Sequence, residues 1–156
     1  MHHDEKKMPI PTQKNPLHYM KPPTVATEKF QITPPIEKMN FEITKSFRFE
    51  AGHSLPHLPE GHQCRRFHGH SYELIVGVRG PIQSKNHWVM DYADISGIVS
   101  PLVKQLDHQD LNEILGALPT TAENLAWWFW SRLSELQILS RIEIRETPTS
   151  NVILTR

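Results

Sequence analysis

Two histidines separated by one residue indicate a metal-binding site. His68 and His70 flank Gly69 and lead directly into a run in which apolar residues alternate with other residues. Residues i and i+2 of a β-strand point to the same face, so both imidazoles can bind one ion. Gly69 leaves the opposite face unobstructed. Taken alone, a His-x-His pair also occurs as two ordinary polar residues, so the interpretation depends on a third ligand.

His53 is the predicted third ligand. It ends a first predicted strand, and in an antiparallel hairpin the end of one strand meets the start of the next, beside His68 and His70. Three neutral histidines with an open fourth position are typical of catalytic zinc, whereas cysteine-rich zinc sites need more than the single cysteine present. His57 and His62 are the alternatives: either could replace His53 or be a solvated loop residue.

Cys64, the single cysteine, lies four residues before His68. Its neighbours Arg65 and Arg66, together with a nearby metal ion, favour the thiolate form. A thiolate here can act as a fourth metal ligand, a nucleophile or a general base. A buried inert cysteine is the structural alternative, which the loop context disfavours. The residue pattern leaves the choice among the three chemical roles open.

Two further segments carry groups suited to proton transfer and ligand binding. Asp107 and His108 are adjacent, and an aspartate that orients an imidazole makes a proton shuttle. Adjacent side chains point together only in some backbone conformations, so the sequence leaves open whether Asp107 and His108 form such a pair. Glu146 ends a predicted strand, where its carboxylate is either an exposed charge or an acceptor for a ligand with paired N–H donors.

Alternating apolar residues predict the strands that position these groups. Phe41, Ile43, Phe47 and Phe49 predict a first strand with an irregularity at Lys45. Glycines and prolines predict a loop over residues 52–67. Further strands are predicted at residues 72–78, 142–144 and 152–154.

Two helices are predicted between the second and third strands. The first follows from a helical stripe of apolar residues: Ile95, Ile98, Val99, Leu102, Val103 and Leu106. Pro101 inside this stripe predicts a kink or a late start. The second begins with the capping box Thr120-Thr121-Ala122-Glu123, in which Glu123 reaches back to the cap. Trp127 and Trp130 widen its apolar face, so we expect that face to be covered on more than one side.

The order β-β-α-α-β-β predicts an α+β fold, a four-stranded antiparallel sheet with both helices on one face. Such a sheet has two open edges, which proteins usually cover by assembly. The first 40 residues hold seven of the 13 prolines and no glycine, and their apolar residues show no period. We therefore predict a poorly ordered tail over residues 1–38 and a folded domain over residues 39–156.

The composition disfavours several functional classes. The 156 residues carry a formal net charge of zero, so we expect no nucleic-acid partner. No apolar run approaches the roughly 20 residues that span a bilayer, and the N-terminus lacks an apolar signal segment. We therefore expect no membrane partner. One cysteine cannot form an intrachain disulfide, which favours a reducing, cytoplasmic location.

Residues 41–155 resemble the 6-pyruvoyl-tetrahydropterin synthase superfamily, specifically its bacterial-type branch, 6-carboxy-5,6,7,8-tetrahydropterin synthase. The segments that carry the resemblance, in family order, are Phe49–His53, Gly61–Cys64, His68–Tyr72, Asp91–Tyr92, Leu106–Asn112, Pro119–Asn124 and Glu146–Thr147. Their combination is specific, although no single segment is. The departures are mild: Gly52 stands where alanine is common, and Tyr92 where phenylalanine is common.

The resemblance implies the tunnelling fold, or T-fold. In this fold trimers close their sheets into a barrel, and two trimers stack into a hexamer, which covers the open edges. The resemblance further implies that His53, His68 and His70 bind zinc and that Cys64 is the general base.

By the same resemblance, Asp107 and His108 form the proton-transfer pair. Glu146 is implied to hold the pterin ring, and Thr121 to be a further pterin contact. The family's site lies between subunits, so Asp107 and His108 are expected to act with the Cys64 of a neighbouring copy.

The spacing selects a branch of the family. Three residues separate Cys64 from His68, as in the carboxy branch, whereas the animal-type enzymes tend to have a longer insertion. The implied substrate is 7,8-dihydroneopterin triphosphate. Loss of triphosphate and release of acetaldehyde give 6-carboxy-5,6,7,8-tetrahydropterin, for 7-deazaguanine and queuosine synthesis. Candidate contacts to the triphosphate are Arg48, Arg65, Arg66 and Lys104, among which the sequence does not choose.

Two alternatives remain. The first is a 6-pyruvoyl-tetrahydropterin synthase, which retains all the side-chain carbons. The second is a non-catalytic zinc-bound pterin-binding protein, against which the joint presence of Cys64, Asp107 and His108 argues.

Overall fold

A long antiparallel hairpin carries the predicted metal ligands. The computed structural model describes residues 35–156, in which strand β1 spans Asn40–His53 and strand β2 spans His68–Pro81. Each residue of β1 pairs with one of β2, and the last pair is His53 with His68. Lys45 does not interrupt β1: it stays in register, half-buried, with its ammonium 5.7 Å from the centre of the Tyr92 ring.

The hairpin lies within a five-stranded sheet. A two-residue strand, β3 at Gln109–Asp110, pairs parallel with β1. Strand β4 at Leu139–Thr147 pairs antiparallel with β2, and β5 at Ser150–Thr155 pairs antiparallel with β4, so the order is β3-β1-β2-β4-β5. The α+β class and the predominantly antiparallel sheet are confirmed. The predicted count of four strands is wrong, because a two-residue strand leaves no period in the sequence.

Three helices are present among the described residues. They are α1 at Tyr92–Leu106, α2 at Leu111–Leu115 and α3 at Ala122–Arg132. The carboxylate of Asp91 caps α1 by accepting the N–H of Ala93 at 2.7 Å, and the helix continues through Pro101. The sequence did not predict α2, because five residues are too few to show a helical period.

The start of α3 differs from the predicted capping box. Its cap is Thr121, whose hydroxyl accepts the N–H of Asn124 at 3.4 Å. Thr120 is buried and donates its hydroxyl to the carbonyl of Ser54 at 3.1 Å. A buried hydroxyl needs a partner, and Ser54 supplies one, so Thr120 is not available as the cap. Glu123 lies exposed in the first turn of the helix.

An apolar core fills the space between one face of the sheet and the helices. Phe49 of β1 stacks on Tyr72 of β2 with ring centres 5.0 Å apart, and Phe129 of α3 lies 6.2 Å from Phe49. Burial of each such side chain is worth roughly 1.5–3 kcal/mol, so this cluster stabilises the end of the hairpin that carries the histidines. Trp127 is 53% exposed, so the described residues do not provide the wider cover expected for α3.

The N-terminal prediction falls largely on residues 1–34, which lie outside the described part of the chain, so the tail over residues 1–38 stays a prediction. Ile36–Lys38 forms an exposed 3-10 turn directly before β1. Among residues 35–156, no helix combines the length and the apolar character needed to cross a bilayer.

Candidate metal centre

The register of the hairpin brings three histidines together. His53 pairs with His68 and Ala51 pairs with His70, so the three imidazoles lie on one face of the sheet. One possible ligand atom from each ring lies within 4.8 Å of the others. The ring centres are 4.6 Å apart for His53 and His68, and 5.1 and 5.0 Å from His70 to the other two. A single ion can therefore contact all three.

Backbone carbonyls fix the tautomers of two of these rings. His53 Nδ1 lies 2.7 Å from the carbonyl oxygen of Thr120, and His68 Nδ1 lies 2.8 Å from that of Arg66. A carbonyl oxygen can only accept, so each Nδ1 carries the proton and each neutral ring has a lone pair on Nε2. One nitrogen bound to a carbonyl and the other left for an ion is typical of metal-binding histidines.

The separation of the two Nε2 atoms fits a shared ion. They lie 3.2 Å apart, a distance at which two lone pairs repel unless a cation lies between them. Nitrogens about 2.0–2.1 Å from a tetrahedral zinc ion would be roughly 3.3 Å apart. Burial lowers the pKa of His53 despite the opposing effects of the Thr120 carbonyl and Glu146, which keeps the ring neutral. The donor set thus fits a divalent transition-metal ion.

The two alternative histidines lie outside this cluster. His57 and His62 are both exposed in the loop between β1 and β2. His62 instead caps the 3-10 turn at Gln63–Arg65, with its Nδ1 accepting the N–H of Cys64 at 3.2 Å. His62 therefore shapes the loop that carries the thiol.

A polar clamp that the sequence did not predict holds the end of β1 beside His53. The N–H of Ser54 donates to Asn112 Oδ1 at 2.8 Å, and Asn112 Nδ2 donates back to the Ser54 carbonyl at 2.9 Å. That carbonyl also accepts the hydroxyl of Thr120, whose own carbonyl holds the ring of His53. The clamp ties His53, a predicted metal ligand, to the segment before α3. Asn112 lies within a segment that carried the family resemblance, which was the one signal for it.

A cavity of about 240 Å³ opens beside the histidine cluster. Its walls include His53, His68, His70, Cys64, Thr121 and Glu146. Cys64 is half-buried, and its carbonyl accepts the N–H of Leu55 at 2.8 Å, which closes the loop onto the end of β1. The structure therefore places the thiol, the histidine cluster and the carboxylate of Glu146 around one space.

Glu146 is oriented by a buried tyrosine. The hydroxyl of Tyr72 donates to Glu146 Oε1 at 3.5 Å. Burial, and then the negative charge of Glu146, raise the pKa of Tyr72, so the phenol stays protonated and acts as a donor. One long hydrogen bond leaves most of the acceptor capacity of the carboxylate available to a ligand in the cavity.

Asp107 and His108 do meet, as a hydrogen-bonded pair. Asp107 Oδ1 lies 3.0 Å from His108 Nδ1 and accepts the backbone N–H of Glu50 at 3.0 Å. The hydrogen bond from Glu50, followed by that from His108, lowers the pKa of Asp107. His108, at a φ of 59°, lines a different cavity beside β3, whose walls do not include Cys64. His108 and Cys64 therefore line different cavities of one chain, and His70 lies in the wall of both.

A family model and several named relatives match the sequence of this chain. The family model described as 6-pyruvoyl tetrahydropterin synthase matches residues 42–156. The chain is similar to a Synechocystis protein named 6-carboxy-5,6,7,8-tetrahydropterin synthase, with 42% identity over 115 residues, or 69% of this chain and 88% of the relative. It is also similar to the Drosophila melanogaster 6-pyruvoyl tetrahydrobiopterin synthase, with 32% identity over 73% of this chain and 78% of the relative.

The fold has solved counterparts. The structure of Caenorhabditis elegans 6-pyruvoyl tetrahydropterin synthase matches with a TM-score of 0.70 and 23% identity, covering 76% of this chain and 96% of that one. This likeness confirms the T-fold. The match of the family model over residues 42–156 shows that the chain belongs to the 6-pyruvoyl tetrahydropterin synthase family.

Proposed function

We propose that the protein is a 6-carboxy-5,6,7,8-tetrahydropterin synthase. It converts 7,8-dihydroneopterin triphosphate and water to 6-carboxy-5,6,7,8-tetrahydropterin, acetaldehyde and triphosphate. The observation that carries the proposal is the shared cavity, in which a three-histidine cluster, the thiol of Cys64 and the carboxylate of Glu146 meet. The Synechocystis relative, which covers most of the same domain, supports the carboxy branch.

The resident metal in this proposal is zinc, held by His53, His68 and His70. Three neutral nitrogen ligands suit zinc and leave a fourth position for the substrate. When bound, zinc supplies Lewis-acid chemistry that acidifies the hydroxyl groups of the substrate side chain. The Thr120 and Arg66 carbonyls contribute by holding two of the rings in the tautomer that presents Nε2.

Cys64 acts as the general base. The thiol lies in the wall that also holds the histidine cluster, where the hydroxyl-bearing side chain of the substrate would lie. It is half-buried and forms no disulfide, so its sulfur can receive a proton. The bond between His62 and the N–H of Cys64 fixes the loop that aims it.

Glu146 and Thr121 bind the pterin ring. The ring presents adjacent N–H donors on its pyrimidine edge, and a carboxylate accepts such a pair with two oxygens. Tyr72 donates a hydrogen bond to Glu146, and Thr121, the N-cap of α3, lies in the wall of the same cavity. The pterin ring and the reacting side chain of the substrate would therefore lie at opposite ends of one cavity.

Asp107 and His108 complete the site from a second copy of the chain. Asp107 holds Nδ1 of His108, which leaves Nε2 for proton transfer. Cys64 of the same chain does not line the cavity that contains His108, which supports a role for the pair at the Cys64 of a neighbouring copy. We therefore place the active protein in a homo-oligomer, a trimer or a hexamer. A free thiol at the site suits a reducing compartment, so we place the reaction in the cytoplasm, where its product serves queuosine synthesis.

Product analysis tests the proposal. Zinc-loaded protein is incubated with 7,8-dihydroneopterin triphosphate, and the pterin product and acetaldehyde are measured together. The proposal expects 6-carboxy-5,6,7,8-tetrahydropterin and acetaldehyde in equal amounts. A pterin that keeps all side-chain carbons, without acetaldehyde, would establish the pyruvoyl activity instead. Tight binding of the substrate without turnover would establish a pterin-binding protein.

A further inference from the structure

Two cavities meet at the histidine cluster and leave it in different directions. The cavity of about 240 Å³ and a second one of about 500 Å³ share three wall residues, Cys64, His68 and His70. The first continues to Glu123 and Glu146. The second continues to Arg66 and Phe67. A ligand that spans the cluster would therefore have one end in each.

The two directions differ in charge. The first cavity has two carboxylates in its wall, those of Glu123 and Glu146. The second has no acidic side chain in its wall and one permanent cation, the guanidinium of Arg66. A polyanion is repelled by the carboxylates of the first cavity and attracted by the guanidinium in the second.

The other candidate cations are engaged or placed elsewhere. Arg65 Nη1 donates to the backbone carbonyls of Pro56 and Leu58, so it holds the loop together. Arg48 lies 4.0 Å from Glu73 and lines a third cavity, of about 790 Å³, that contains three carboxylates. Lys104 lies on α1 and lines none of these three cavities.

Arg66 is available to a ligand. It is exposed, and it forms no ion pair within residues 35–156. Its backbone carbonyl holds Nδ1 of His68, so the main chain of Arg66 is fixed relative to the metal ligands. Its side chain can therefore act at a defined distance from the cluster without being needed for the cluster's geometry.

We propose that Arg66 binds the triphosphate of the substrate in the second cavity. The inference rests on the proposed function, because it takes the substrate to be a pterin with a three-carbon side chain ending in phosphate. The order of the substrate from ring to side chain to phosphate matches the order from Glu146 to the histidine cluster to Arg66. A guanidinium also suits this task because it can bind phosphate oxygens with two parallel hydrogen bonds.

Binding measurements on zinc-loaded full-length protein test this assignment. The variants are Arg66→Gln, Arg66→Lys as the conservative change, and Arg48→Gln as a matched surface control. Each is titrated with 7,8-dihydroneopterin triphosphate, with 7,8-dihydroneopterin, which lacks phosphate, and with inorganic triphosphate. Zinc content is measured in every sample. It should stay the same, because the contact to His68 comes from the backbone carbonyl of Arg66, which these substitutions leave in place.

We expect Arg66→Gln to weaken binding of both triphosphate compounds about tenfold or more, the effect of one lost charge-assisted hydrogen bond. In this variant, the binding of 7,8-dihydroneopterin and the zinc content should not change. The affinity of Arg66→Lys for the triphosphate compounds should lie between those of Arg66→Gln and wild type, and Arg48→Gln should match wild type. Equal loss for the phosphorylated and unphosphorylated pterins, or no loss, would overturn the role of Arg66. If wild type turned over the substrate in that case, the proposed function would stand. If wild type bound neither pterin, both the role of Arg66 and the proposed function would be refuted.

Discussion

The ring of Phe67 lies against the α-carbon of Gly52. A β-carbon on residue 52 would lie 2.7 Å from Phe67 Cε1 and closer still to Cζ. The ring is 63% exposed, so Gly52 provides the space for an aromatic side chain that the core does not bury. Phe67 directly precedes His68, a predicted metal ligand, so its contact with Gly52 links the end of β1 to the loop that carries Cys64.

This relationship predicts opposite effects of one substitution in two backgrounds. Gly52→Ala in the wild-type chain should lower the free energy of unfolding by roughly 0.5–1.5 kcal/mol, because the Phe67 ring must leave its position. In a Phe67→Ala background the clash is gone, and the loss of glycine's freedom in the unfolded chain should make Gly52→Ala neutral or stabilising. Urea denaturation of the four proteins measures the coupling. Equal effects of Gly52→Ala in both backgrounds would contradict the contact.

The second prediction concerns metal retention. His68→Ala should lose zinc on dialysis, because a site with two protein ligands left has a much lower affinity. His57→Ala is the control and should retain about one zinc per chain, since His57 is exposed and outside the cluster. Zinc content is measured on purified, folded protein. Full zinc occupancy in a His68→Ala, His70→Ala double variant would refute the assignment.

The third prediction separates the possible roles of Cys64. Cys64→Ala should keep zinc, because the three histidines remain, and should still bind substrate through Glu146. Turnover should fall by roughly 10² to 10⁴, the usual contribution of one general base. Loss of zinc along with activity would make Cys64 a metal ligand. A variant that works at the wild-type rate would remove the thiol from the mechanism.

The fourth prediction uses the lowered pKa of Asp107. Its carboxylate accepts hydrogen bonds in the folded state, so it stabilises the fold above its ordinary pKa of 3.8, and this contribution is lost as pH falls through the lower folded-state pKa. Asp107→Asn should therefore lower the urea midpoint of the metal-free protein at pH 7. The difference from wild type should shrink once the pH is below 3.8. A difference that stays constant with pH would show that the charge of Asp107 contributes nothing.

Much of the site follows from sequence spacing. His68 and His70 are at positions i and i+2 of one strand, so they share a face. His53 ends the facing strand of the antiparallel hairpin, so the three rings come together once the register is known. The structure supplies that register, with His53 opposite His68. The fold class followed from the order of the predicted strands and helices along the chain.

Other features depend on tertiary contacts that leave no local pattern. The carbonyl of Thr120 holds His53 across 67 positions of sequence, and the capping-box interpretation had assigned Thr120 a different task. Strand β3 forms because the backbone turns at His108 and brings Gln109 beside Ala51, which two residues cannot signal in advance.

Anomalous scattering at the zinc absorption edge, measured on crystals of the zinc-loaded protein, tests directly whether the three histidines hold the ion. We expect one peak about 2.0–2.1 Å from Nε2 of His53, from Nε2 of His68 and from a ring nitrogen of His70. The sulfur of Cys64 should lie beyond the roughly 2.3 Å of a zinc–sulfur bond. A zinc peak on His57 or His62, or zinc-loaded crystals without a peak at the three-histidine cluster, would contradict this expectation.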